Sequence, residues 1–265
     1  MTPPRLVFLH GGLHTGQCWA DTIDAIAMRR PDIGFTVVDL PGRRSVPGDL
    51  ASLTIDSCVT AVTEQIVAST PSRNDHLVLI GHSLAGVIMP DVIERVGPRI
   101  RQVIFIACCV PRAGESVLQT LPFGLRHIVQ HLVGKVAVIN KLPPGLVRHG
   151  FGNSATRAQR AKIAAQIVPE SAALLVEPSA SRVTPSIRKS WVLTTRDRAL
   201  PQRKQRAFIE NLGGVADIVH LDAAHEVMLT HPAQLAQTIV WLAKLGSGDP
   251  LCRLPDHDAN GEPLP

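Results

Sequence analysis

Residues 76–94, HLVLIGHSLAGVIMPDVIE, constrain this chain more than any other stretch. Residues 77–80 form a continuous apolar run, and Val87, Ile88, Val92 and Ile93 carry helical spacing. Between them lies Gly81-His82-Ser83-Leu84-Ala85-Gly86. The pattern is strand, sharp turn, helix, with a serine at the turn. A serine hydroxyl is a weak nucleophile at its ordinary pKa and needs exposure, a base and a site for an oxyanion. Small residues two before and two after the serine let the backbone fold back tightly enough to expose it. Gly81 and Ala85 hold those places, Ala85 where the usual pattern has glycine, and Gly86 adds room. A bare five-residue match arises by chance in many chains. Its setting between a buried strand and a helix sets it apart from an ordinary loop with a capping serine.

The same unit recurs along the chain. Residues 6–10 read as a strand, followed by a helix through Trp19, Ile23, Ile26 and Ala27. Residues 35–39 are a second strand, and residues 53–69 have helical spacing, with Thr54 or Ser52 as the cap. Residues 102–107 form a further apolar strand after the serine unit. This β-α-β-α-β-α-β order implies a parallel sheet with helices on both faces. From 111 to about 185 the rhythm breaks into helical pieces (123–133, 155–168 and 171–176) with no clear strand. That segment is expected to be a helical cap inserted over the C-terminal edge of the sheet. The rhythm resumes with strands at 191–194 and 215–221, a helix between them, and a closing helix at 233–245 opened by Pro232. The expected organisation is a core of residues 1–110 and 186–245, a cap of 111–185, and a disordered Gly-, Pro- and Asp-rich tail of 246–265.

With 265 residues, 45% of them hydrophobic, the chain can build one large α/β domain with an insertion. No apolar run reaches the length of a membrane span, and the first ten residues hold too short an apolar core for a signal peptide. A cytoplasmic protein with no membrane partner is expected. The five cysteines include adjacent Cys108 and Cys109 but no Cys-x-x-Cys, which points to reduced, buried thiols. His127 and His131 lie one helical turn apart without a third ligand at a telling spacing, so no metal is expected. The net charge of +5 comes from scattered, mostly arginine residues, and there is no tyrosine. A nucleic-acid partner would want a basic stripe or stacking aromatics, and the chain has scattered charge and few aromatics.

The first strand runs into Gly11-Gly12-Leu13-His14-Thr15-Gly16. A Gly-rich turn entering a helix leaves backbone N–H groups free at a positive helix end, fit for a phosphate or for an oxyanion. The turn is neither a Walker-type loop nor a dinucleotide fingerprint, so no nucleotide cofactor is expected. His10 and His14 are expected to bond the loop backbone.

Catalytic groups in doubly wound sheets sit at the C-terminal ends of strands. Ser83, Asp197 and His225 each follow a strand by a few residues, in the chain order Ser, Asp, His. Here the sequence resembles the α/β-hydrolase superfamily, and within it the small esterases related to plant methylesterases and hydroxynitrile lyases. The pieces that carry the resemblance are FLHGGLHTGQCW, VVDLPGR, LIGHSLAG, VIFIACCVPRAGES, TTRDRALP and AAHEVMLTHP, spread over residues 8–232. It implies an α/β-hydrolase fold, with a mostly parallel doubly wound sheet and an inserted helical cap. It also implies a catalytic triad of Ser83, Asp197 and His225, and an oxyanion hole made by the N–H groups of Gly12 and Leu84. Asp222 and Glu226 are alternative acids. Asp222 shares the histidine's own loop and Glu226 would have to fold back, so Asp197 is preferred. His82 is expected to pack against or support the nucleophile. Relatives with such a cap are often dimers, so a homodimer is the expectation by analogy.

The serine argues against haloalkane or epoxide chemistry, which calls for an aspartate nucleophile. Hydroxynitrile lyases carry threonine where this chain has Gly11, and lysine where it has Glu226. A glutamate there would repel a leaving cyanide. The expected activity is cleavage of a carboxylic ester, thioester or lactone of a small apolar substrate. The alternatives are a lyase, a C–C bond hydrolase or a small-molecule binding protein of this fold. Gly11, Leu13, Cys108, Leu121, Phe123, Leu125 and Ile128 are the expected lining of the substrate pocket.

Overall fold

The computed structural model describes residues 3–70, 72, 76–133, 135–179, 183 and 187–243. The tail expected at 246–265 lies outside the described residues. The first half of the chain contains β1 (Arg5–Leu9), α1 (Ala20–Arg29), β2 (Phe35–Val38), α2 (Ile55–Ser69), β3 (Leu77–His82), α3 (Met89–Val96) and β4 (Ile100–Ile106). An insertion follows, with α4 (Phe123–Val133), β5 (Val138–Ile139), α5 (Pro144–Leu146), α6 (Arg157–Ala165), β6 (Glu170–Ser171) and α7 (Ala173–Val176). The chain returns through β7 (Arg188–Thr194), α8 (Gln202–Asn211), β8 (Asp217–Leu221), α9 (Val227–Thr230) and α10 (Pro232–Leu242).

Six strands form one sheet in the order β2-β1-β3-β4-β7-β8. Every pairing within it is parallel. Parallel strands covered on both faces are apolar along their whole length rather than alternating, and β3 is buried at every position. Alternate side chains feed two cores. Val7, Leu9, Leu77, Leu79, Val103 and Phe105 pack with α2, α3 and α8 on one face. Leu6, Phe8, Val78, Ile80, Ile104 and Ile106 pack with α1 and α10 on the other. The helix starting at Ile55 is capped by Thr54, whose side chain accepts from Ser57 N while Ser57 bonds back.

The insertion differs from expectation in its strand content. Val138–Ile139 and Glu170–Ser171 pair antiparallel as a two-stranded ribbon. Two residues per strand are too few to leave an alternating pattern in the sequence.

Candidate active site

The chain leaves β1 to one side for β2 and returns to its other side for β3. In open α/β sheets the crevice outside the strand ends at such a switch point is where ligands bind. The register places Leu9 beside Gly81, and His82 beside Ile106. The turn after β1 and the serine after β3 are therefore neighbours at one end of the sheet.

Ser83 sits at φ +51°. Left-handed backbone at a residue other than glycine is strained, and such strain is held only by the surroundings. The contacts around it are close. A Cβ at Gly81 would stand 2.3 Å from Met89 Sδ, and one at Gly86 would stand 2.4 Å from the Cys109 carbonyl oxygen. The Cys109 N–H donates to Ser83 O at 2.8 Å. The serine is thus clamped between β3, α3 and the chain after β4.

Ser83 Oγ lies 2.8 Å from His225 Nε2, and His225 Nδ1 lies 2.6 Å from Asp197 Oδ2. Nδ1–H donating to the carboxylate leaves Nε2 with a lone pair facing the serine hydroxyl. Asp197 is itself fixed, accepting at Oδ2 from Thr194 Oγ1 (3.0 Å) and at Oδ1 from Leu200 N (2.7 Å). Beneath it, Gln205 of α8 is wholly buried. It donates to Thr194 O, Thr194 Oγ1 and Leu200 O, and accepts from Trp191 Nε1 and Thr194 N. His82 Nε2–H donates to His225 O at 3.0 Å, which is the supporting contact expected of it.

Burial acts to lower the pKa of His225. The Asp197 charge and hydrogen bond, with a smaller contribution from Glu226, outweigh it and hold the pKa above the ordinary histidine value. His82, lacking a carboxylate partner, is driven well below that value by burial first and then by repulsion from His225. Of the alternative acids, Asp222 is exposed and paired with Arg196, its two oxygens each 2.5 Å from the guanidinium. Glu226 is buried and turned toward His14.

The turn after β1 is held by its own histidines. His10 Nδ1 donates to Gly11 O (2.7 Å) while its Nε2 accepts the Leu40 N–H (3.2 Å). His14 Nδ1 donates to Gly12 O at 3.0 Å. Leu13 takes φ +64°, and its N–H donates to Glu170 Oε2 at 2.9 Å. Among the described residues the N–H groups of Gly12 and Leu84 have no acceptor. Glu170 also accepts from Arg43 at 2.6 Å, and Arg43 reaches on to His14 O at 2.8 Å. Both members of this ion pair are buried. Neither residue stood out in the sequence. Their separation of 127 positions leaves no local signal of the contact.

A cavity of about 20 Å³ adjoins Ser83 and His225, lined also by Leu13, His14, Leu142, Phe151, Ile163, Ile167 and Glu226. The Phe151 ring meets the His225 ring edge-on at 5.2 Å. Of the residues expected to line a pocket, Leu13 is there and Gly11 packs behind it against His82. Cys108 is instead buried below, its thiol donating to Gly81 O. Phe123 is 78% exposed on α4, because its ring points off the insertion rather than under it. Leu121 is half-buried at the start of α4 and does not line the cavity. The side chains of Leu125 and Ile128 lie outside the described residues. The apolar wall comes from the later part of the insertion. A recess of about 640 Å³ beside α4 and α7 contains none of Ser83, Asp197 and His225.

Residues 6–238 match the model of the Alpha/beta hydrolase family. A Carbendazim hydrolyzing esterase of Nocardioides sp. (strain SG-4G) is 30% identical over 124 residues, 46% of this chain and 48% of that protein. Probable esterase PIR7A of Oryza sativa subsp. indica is 27% identical over 125 residues, 47% of this chain and 46% of that protein. The chain thus spans about half the length of these curated relatives. A solved structure, an extracellular alpha/beta-hydrolase from a Paenibacillus species, superposes with a TM-score of 0.76 at 23% identity, covering 90% of this chain and 98% of that one.

Proposed function

Because this chain belongs to the alpha/beta hydrolase family, we propose that it hydrolyses carboxylic esters of small apolar substrates through Ser83, His225 and Asp197. The observation that carries this reading is the unbroken hydrogen-bond chain from Ser83 Oγ through His225 to Asp197 at the switch point of the sheet. The esterase names of the curated relatives support the reaction class.

Ser83 Oγ attacks the ester carbonyl carbon as His225 Nε2 takes its proton. The carbonyl electron pair moves to oxygen, where the N–H groups of Gly12 and Leu84 stabilise the charge. Asp197 holds the histidine tautomer and stabilises the imidazolium. His225 then gives its proton to the leaving alkoxide as the carbon–oxygen bond breaks. Water, deprotonated by the same histidine, releases the acid from Ser83. The insertion acts as a cap whose Leu142, Phe151, Ile163 and Ile167 face the apolar part of the substrate. Ligand sites hold roughly 300–1,000 Å³, so the cavity of about 20 Å³ beside Ser83 opens by displacement of this wall to admit an ester. A buried Glu226 carboxylate in that cavity disfavours release of cyanide, and with it cyanohydrin cleavage. Among the described residues four free thiols, three of them buried, suit the reducing cytoplasm.

Fluorophosphonate labelling followed by mass spectrometry, with turnover of p-nitrophenyl esters of increasing acyl length, tests the proposal. The adduct is expected on Ser83, and Ser83→Ala is expected to reduce turnover at least about a thousandfold. An unlabelled Ser83, with the variant as active as the wild type, would overturn the hydrolase reading in favour of a binding protein.

A further inference from the structure

Two side chains in the cavity beside Ser83 are not used by the proposed chemistry. His14 Nε2 and Glu226 Oε2 face each other at 3.4 Å, beyond good hydrogen-bond distance. Both atoms are buried and neither has a hydrogen-bond partner. His14 Nδ1–H is committed to Gly12 O, which leaves Nε2 as the ring nitrogen that can meet a group in the cavity. It stands at ion-pair distance from the Glu226 carboxylate, yet no hydrogen bond joins the two. His82, in the same wall, adds a third unpartnered atom: its Nε2–H is spent on His225 O, and its Nδ1 is buried without a partner.

Buried polar atoms are nearly always satisfied, and an orphan group in a native structure needs an explanation. Here the position supplies one. His14 follows the turn that carries the Gly12 N–H, and Glu226 follows His225, so the pair bounds the space where an ester carbonyl and its neighbouring atoms would lie. We infer that His14 and Glu226 form a polar pair that selects esters bearing a hydroxyl or N–H one or two bonds from the scissile ester group. The inference rests on the esterase reading and adds a substrate class to it. Such a donor, reaching the pair from the cavity, gives the Glu226 carboxylate the hydrogen bond it lacks. A substrate with only carbon there dries the cavity and leaves the carboxylate unpaired. Sites built to bond a substrate hydroxyl reject the analogue lacking it far more strongly than apolar pockets reject a missing methylene.

The test compares kcat/KM of the wild-type enzyme on two matched pairs by pH-stat titration. Methyl mandelate against methyl phenylacetate places the hydroxyl on the acyl side. 2-Hydroxyethyl butyrate against ethyl butyrate places it on the alcohol side. The hydroxylated member is expected to be favoured about ten- to a hundredfold in at least one pair. In Glu226→Met that ratio falls to within about twofold whatever happens to the absolute rates, and Glu226→Gln, which keeps an acceptor oxygen, retains part of it. Wild-type ratios near one in both pairs, or a ratio that Glu226→Met leaves unchanged, overturn the inference. Either result with Ser83 still labelled by fluorophosphonate leaves the esterase reading standing. An unlabelled Ser83 with no ester turned over sinks both.

Discussion

In the proposed mechanism His225 accepts the serine proton only when neutral, so its environment sets the pH at which turnover begins. Burial lowers its pKa, while the charges of Asp197 and Glu226 raise it beyond that effect. His82, its ring centroid 4.7 Å away, is held neutral by burial and adds no charge near neutrality. A raised pKa means that the base is mostly protonated at pH 6.5 and gains competence as the pH rises above it. The acid limb of kcat/KM against pH is expected above about 6.5, the unperturbed histidine value. Glu226→Gln removes one of the raising charges, so its limb should move to lower pH. A limb that stays in place would mean that Glu226 carries no charge felt by His225. At this scale the three residues proposed to react stand out in the sequence because each sits at a strand end beside a recognisable turn. Arg43 and Glu170 do not, because an arginine after a turn and a glutamate in a polar stretch look like surface residues until a remote partner buries them.

Among the elements, the six strands of the main sheet were read correctly in place and type, because runs such as LVLI and VIFI have to be buried on both faces of a parallel sheet. Their ends moved: β4 begins at Ile100, where the pairing with β3 starts, two residues before the apolar run would suggest. α6 is shorter than its expected 155–168 because Thr156 and Gln159 form a capping box that starts it at Arg157. What no periodicity revealed is the tie between α8 and the loop after β7. Gln205 lies on the buried side of α8 and carries five hydrogen bonds to Trp191, Thr194 and Leu200. A glutamine in QRKQRAF reads as one more solvated position. Gln205→Leu fills a similar volume but strands the Trp191 indole N–H and the Leu200 carbonyl in the interior. Leaving such groups unpaired should cost about 2–4 kcal/mol, measurable by urea denaturation. Thr194 also loses the donor that orients its hydroxyl toward Asp197, so kcat should fall more than KM changes. Unaltered kinetics in a folded variant would show that the loop holds Asp197 without the helix.

Across the whole molecule, three segments far apart in sequence meet at one buried ion pair. Arg43 follows β2, Leu13 follows β1, and Glu170 belongs to β6 in the insertion. Glu170 Oε2 binds both the Arg43 guanidinium and the Leu13 N–H, while Arg43 also holds His14 O. The insertion is thereby fastened to the turn that carries the proposed oxyanion donor Gly12, beside a left-handed Leu13 that is strained on its own. Removing one member of a buried pair leaves the other charge uncompensated, so Glu170→Ala should destabilise the fold by about 3–5 kcal/mol. Replacing both with apolar residues of similar volume is often neutral, so Arg43→Met with Glu170→Met should recover most of that stability. The double variant still lacks the acceptor for Leu13 N–H and the donor to His14 O. If the pair exists to position the turn, kcat should stay low in the stable double variant with KM little changed. If kcat returns with stability, the pair does no more than attach the insertion. Denaturation and steady-state kinetics on the three proteins separate these outcomes, because stability and rate are expected to part company in the double variant alone.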